Sequence, residues 1–243
     1  MKKIGRLLKK RNGTTLVETI VTMLLISIMF AMAATALSSA AKVFVREQRL
    51  QYAQSILDTT MTELRGIVEN ADGYIKIYDV ERKKNQKITN ITGNNSGNIL
   101  EFMNGDGYAV VISADGCEKT QLLIGQQESG EAEEVDEGQL LTRYYFYNNG
   151  TYQNTWKKEP AARAVATVFG KGFYMGNYLE VQWAFPDFAN AGDTTDQITV
   201  TASLYRDKER TDLLATDSEM IQLRHSLIRK DAVTAIDGLD AGE

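Results

Sequence analysis

Hydrophobic positions along the chain fall into two regimes, one continuous and one periodic. Between Glu18 and Lys42 lie 23 residues, Thr19 to Ala41, without a charged side chain. At a rise of about 1.5 Å per residue, a helix of that length extends about 35 Å, enough to cross a hydrocarbon core of about 30 Å with some tilt. Past it, Val43, Leu50, Ala53, Leu57, Met61, Leu64 and Val68 recur at spacings of 7, 3, 4, 4, 3 and 4, while Arg46, Glu47, Arg49, Asp58, Glu63 and Arg65 lie mostly off that stripe. Such spacing predicts an amphipathic helix with one core-facing side. Together the two runs predict a single helix from about Thr15 to about Asn70, about 84 Å long, stopped by Asp72-Gly73.

The period then changes to two. Segments 74–80, 98–103, 108–113, 121–124, 141–147, 178–185 and 197–205 are each rich in β-branched or aromatic residues, which predicts strands. Asn104-Gly105-Asp106-Gly107 and Asn148-Asn149-Gly150 are hairpin turns by composition, and 213–216 with 219–223 reads as a last strand pair. A long helix followed by strands is an α+β order. The expected architecture is a long N-terminal transmembrane and spine helix packed through its outer half on an antiparallel β-sheet head.

At 243 residues, 43% of them hydrophobic, the chain is long enough for one sizeable core. The formal net charge is −5, but Lys2, Lys3, Arg6, Lys9, Lys10 and Arg11 all fall in the first 13 residues, where there is no acid, so the remainder stands at −11. A head that acidic lacks a broad electrostatic footprint for phosphate backbones, which argues against general nucleic-acid binding. Cys117 is the sole cysteine, excluding an intramolecular disulfide and a thiolate metal cluster; within Asp115-Gly116-Cys117-Glu118 it reads as part of a turn. His225 is the sole histidine, in a charged stretch, and reads as a solvated polar residue. No glycine-rich phosphate loop and no paired-carboxylate motif stands out, so neither enzymatic activity nor a cofactor is expected. Residues 126–138 carry six acids and no base. They read as a solvated loop whose spacing matches no defined calcium site. Tyr144, Tyr145, Phe146, Tyr147, Tyr152 and Trp156 form the richest aromatic patch, read as core packing; residues 231–243 read as a loose tail.

The basic residues before the apolar run favour a cytoplasmic N-terminus with everything beyond Lys42 outside. A secretory signal peptide is the competing reading, since Ala31-Met32-Ala33 offers a small-x-small site. The apolar run continues past that site, however, and Glu18 stands at its mouth, where an acid costs insertion energy and needs a reason.

The segment Lys9-Lys10-Arg11-Asn12-Gly13-Thr14-Thr15-Leu16-Val17-Glu18 resembles the class III signal of type IV prepilins and pseudopilins, in which a basic leader ends in glycine ahead of Thr-Leu-Ile/Val-Glu and an apolar helix. The motif spans about ten residues, and its helix extends the resemblance over the first quarter of the chain. It implies processing between Gly13 and Thr14, with N-methylation of Thr14 and assembly through Glu18 and the Thr14 amine. Thr14 stands where the family usually has phenylalanine, and Thr35 where many major pilins carry a kinking proline. The resemblance implies a minor pilin or pseudopilin, a structural subunit and not an enzyme, in a filament for adhesion, motility, secretion or DNA uptake. Its partners would be a prepilin peptidase (a membrane aspartic protease), the inner-membrane assembly platform with its ATPase, and other pilin subunits. The corresponding division is a cleaved leader over 1–13, a transmembrane and assembly helix over 14–41, the outer half of the spine over 42–70, an extracellular head over 71–230 and a tail over 231–243. A signal-anchored extracellular binding module that does not polymerise stands as the alternative, and a surface enzyme on the same anchor as a weaker one.

Overall fold

The computed structural model describes residues 15–82, 88–92, 95–114, 116, 135–148, 151–152, 164–170, 172–186 and 193–229. The chain divides into two compact units, Met1–Arg49 and Leu50–Glu243. The predicted helix is present as α1, Leu16–Val68, 53 residues long. In the first unit every described residue, Thr15 to Arg49, is exposed. In the second, Ala53, Ile56, Leu57, Thr60, Met61, Leu64 and Val68 are buried.

The observed buried face thus starts later than the periodicity predicts, with Val43 exposed and Leu50 only half-buried. It is also wider, because a sheet covers more of a helix than a narrow stripe. Thr60 joins it without leaving a donor unmet, its hydroxyl donating to the Ile56 carbonyl at 2.8 Å. The helix stops before Asp72-Gly73: Asn70 Nδ2 donates to the Gly66 carbonyl at 2.8 Å, and the chain turns into a strand at Ala71. Gly73, with φ of 73°, instead sits where the pairing register slips between Asp72 and Ile75, a bulge position that needs a residue tolerant of positive φ.

The strands are β1 Ala71–Arg82, β2 Ile88–Thr92, β3 Ser96–Gly97, β4 Ile99–Asn104, β5 Tyr108–Ser113, β6 Leu141–Asn148, β7 Thr151–Tyr152, β8 Ala164–Thr167, β9 Tyr178–Ala184, β10 Thr194–Tyr205 and β11 Leu213–Arg229. They form one sheet in the order β3-β9-β10-β11-β1-β4-β5-β6-β7, with β2 on β1 and β8 on β6. The fold is α+β as expected, but the sheet is mixed and mostly antiparallel, since β1 and β11 run parallel. Alternation sets which face a residue takes, not the direction of a partner strand brought in from far along the chain. The two short strands expected after Leu213 are one 17-residue strand.

One sheet face supplies Ile75, Ile77, Leu100, Phe102, Val200 and Leu204 to the cluster that includes the buried helix residues. The segment joining β8 to β9 adds an aromatic group, with Phe169 and Phe173 stacked at 4.0 Å between centroids and Tyr174 edge-on to Phe173 at 5.1 Å. The Leu140 N–H donates to the Tyr174 hydroxyl at 3.0 Å, and burial pushes that hydroxyl's pKa up to about 12. Part of the stretch expected to be a solvated acidic loop is inside: Val135 packs in a separate small cluster with Leu141 and Val165. Residues 126–134, the strand expected at 121–124, Cys117 and the 231–243 tail lie outside the described residues.

Candidate processing and assembly segment

Gly13 and Thr14 lie outside the described residues; the candidate segment is described from Thr15 onward. The Glu18 N–H donates to Thr15 Oγ1 at 3.3 Å, and the Thr19 N–H donates to the Thr15 carbonyl at 3.1 Å. Thr15 is therefore the N-cap of α1 and Glu18 its third residue, the two ends of a Ser/Thr-x-x-Glu capping pair. Glu18 is also the acid of the first turn, where the helix dipole favours negative charge. This local place in the helix N-terminus is additional to the assembly role that the resemblance implies for Glu18, and the Thr-x-x-Glu spacing is the sequence signal for it.

Downstream, four of the six hydroxyl residues of the apolar run return their hydroxyls to the helix's own backbone. Thr19 Oγ1 donates to the Thr15 carbonyl at 3.1 Å, Thr22 Oγ1 to Glu18 at 2.8 Å, Ser27 Oγ to Met23 at 2.7 Å and Thr35 Oγ1 to Met32 at 2.8 Å. Each of these hydroxyls has its donor satisfied without water, as an apolar environment requires. The helix passes through Thr35 without interruption. Leu16, Met23, Phe30 and Leu37 are among the side chains it leaves exposed, each by more than half. By length and composition α1 can cross a membrane.

No family model, curated protein or solved structure matches this chain.

A second group of charged residues, which sequence reading did not single out, is buried in the sheet on the face away from Ile75 and Ile77. Lys76 and Glu101 stand opposite one another in the β1–β4 register, with Lys76 Nζ 3.4 Å from Glu101 Oε1 and side chains 1% and 0% exposed. The Tyr74 hydroxyl donates to Glu101 Oε1 at 2.9 Å and the Tyr78 hydroxyl to Oε2 at 3.1 Å, and the Lys76 ammonium lies 5.5 Å from the Tyr74 ring centre. Arg143, also buried, donates to Ser113 Oγ at 2.5 Å and to the Gly116 carbonyl. The Glu101 carboxyl thus has a cation and two hydroxyl donors beside it within the sheet, the partners that a buried charge requires. His225 is exposed on β11, as expected. Among the described residues no three of His, Cys, Asp or Glu converge in a way that would hold a metal ion.

Proposed function

We propose that this chain is a type IV pilin-like structural subunit, a minor pilin or pseudopilin. It is cleaved by a prepilin peptidase between Gly13 and Thr14, held in the membrane by α1 with its N-terminus in the cytoplasm and its β-rich head outside, and then packed through α1 into a filament. The observation that carries the reading is the exposed half of α1. This is a charge-free helix from Thr19 to Ala41, with hydroxyls folded back onto its own carbonyls and one carboxylate at its first turn. That surface is complementary to lipid before assembly and to other such helices after it. In a helical bundle the Glu18 carboxylate would be neutralised by the Thr14 amine of a neighbouring subunit. The partners follow: a prepilin peptidase, an assembly platform with its ATPase, and other pilins; the work of the chain is structural and not enzymatic.

N-terminal sequencing of membrane-extracted protein tests the reading. The expected first residue is Thr14. A start near Ala34, after the Ala31-Met32-Ala33 site, would mean conventional signal cleavage and remove the assembly helix altogether. One observation favours the second reading, an anchored extracellular module that does not polymerise: Glu18 is the acid of the first turn of α1, where the helix dipole favours negative charge, a purpose that requires no neighbour.

A further inference from the structure

The second unit holds an open cavity of about 510 Å³, inside the range of about 300–1,000 Å³ usual for small-molecule sites. Four parts of the chain converge there: the last turn of α1 leading into β1, the β4–β5 hairpin with its tip, Tyr144 of β6, and the middle of β11. Their backbones are tied together. Ala71 faces Asn104 in the β1–β4 register, and the Arg224 N–H donates to the Glu69 carbonyl at 3.4 Å. Phe102 and Val110 are buried beneath the cavity, and half-buried Ile67 and Tyr144 form apolar parts of its lining.

The polar lining is mixed in sign and only partly engaged: Asn70 Nδ2 donates to the Gly66 carbonyl and Asp72 Oδ1 accepts from the Gly73 N–H, each with one polar atom taken. Asn104 Oδ1 accepts from the Asp106 and Tyr108 N–H groups at 3.1 and 2.9 Å, which fixes the amide and leaves both of its Nδ2 hydrogens for a ligand. Arg224 pairs through Nε with Glu69 Oε1 at 3.1 Å, leaving its terminal nitrogens as donors. Asp72 and Asp106 bring carboxylates, and Tyr144 and His225 bring groups that both donate and accept. A phosphate would meet the two carboxylates and an ammonium would meet Arg224, so neither charge is selected. A divalent cation is disfavoured, because no group of three acidic, histidine or cysteine ligands gathers among the described residues.

We propose that this cavity binds a neutral saccharide. Adjacent hydroxyls of a sugar each donate and accept. They match carboxylates set beside an amide and a guanidinium, and the C–H faces of the ring match the Ile67 and Tyr144 walls. The proposal does not depend on filament assembly; an anchored module would bind equally well.

His225 is the only histidine and lines the cavity, so its imidazole proton signals report this site without ambiguity. The full chain is placed in phosphatidylcholine nanodiscs, avoiding sugar-headed detergents, and titrated with neutral hexoses, N-acetylhexosamines and their β-linked disaccharides. At least one is expected to shift the His225 signals saturably. Asp106→Ala, at an exposed hairpin tip where the backbone N–H to Asn104 is retained, is expected to weaken that binding by about tenfold or more while leaving the ligand-free spectrum otherwise unchanged. The proposal is overturned if no neutral saccharide moves the signals, if only inorganic phosphate or a primary amine does, or if the midpoint is the same in Asp106→Ala.

Discussion

Glu18 has a local role in the helix N-terminus and a proposed one in the filament, and a single substitution separates them. Glutamine serves at the third position of a helix almost as well as glutamate, so Glu18→Gln keeps the cap to Thr15 and removes only the charge. Processing and membrane insertion are expected to be unchanged, since losing an acid lowers the insertion cost. Filament incorporation is expected to fall by at least about tenfold, because a neighbour's amine is left without its counter-charge; fully buried, that loss is worth about 3–5 kcal/mol. The comparison is between processed protein in the membrane and protein in sheared filaments, with the assembly machinery co-expressed. Equal incorporation would leave the Glu18 carboxylate only its place in the first turn of α1. The pair Lys76–Glu101 makes a different prediction, about folding. Glu101→Leu removes the buried carboxylate that the Lys76 ammonium and the Tyr74 and Tyr78 hydroxyls share and is expected to cost about 3–5 kcal/mol. Lys76→Met leaves Glu101 its two tyrosine donors and costs less, and the double substitution recovers a large part of the loss. Denaturant melts of the three variants check this; equal costs for the two single changes would show that the tyrosines do not sustain the carboxylate.

Among the elements, α1 and the β10–β11 hairpin behave in opposite ways. Helix α1 is specified locally by its cap, its charge-free run and its periodicity, and only its buried half from Ala53 to Val68 depends on the sheet. In the turn of the hairpin one side chain gathers three donors, beside the Arg206 N–H to Asp212 carbonyl bond and the Arg206–Asp212 ion pair. Asp207 Oδ2 accepts from the Thr211 N–H at 2.9 Å and the Thr211 hydroxyl at 2.7 Å, and Oδ1 accepts from the Asp212 N–H at 2.7 Å. These donors, the Thr211 N–H foremost, hold the Asp207 carboxyl below the ordinary aspartate range. A carboxyl whose folded pKa is depressed stabilises the folded turn above its unfolded value of about 3.9 and loses that contribution as pH falls through the lower folded value. The amide signals of Thr211 and Asp212 are therefore expected to titrate together in acid, below the ordinary aspartate midpoint, and not at all in Asp207→Asn. A midpoint at or above the ordinary value would contradict this account of the turn.

At the scale of the whole molecule, the two compact units answer to different environments. The described part of the first exposes its apolar side chains throughout, while the second buries a core of helix and sheet residues. Sequence alone determined the helix, because a charge-free run and a 3.6-residue period are local signals that no later contact has to supply. It also located the strands β1, β4, β5, β6, β9 and β10 and the Asn104–Gly107 turn, whose Asx and glycine chemistry is equally local. Strands β2, β3, β7 and β8 escaped it, being two to five residues long, too short for a period to register. Only the tertiary structure decided that β11 runs parallel to β1, that Gly73 makes a bulge instead of a helix stop, and that Val135 is buried within an acidic stretch. It alone faced Lys76 with Glu101 and gathered Asp72, Asn104, Asp106, Arg224 and His225 around one cavity. The physical reason is common to all of these: they rest on pairings between residues far apart in the chain, and the register of such pairings is set by packing over the whole sheet, not by any local run of side chains.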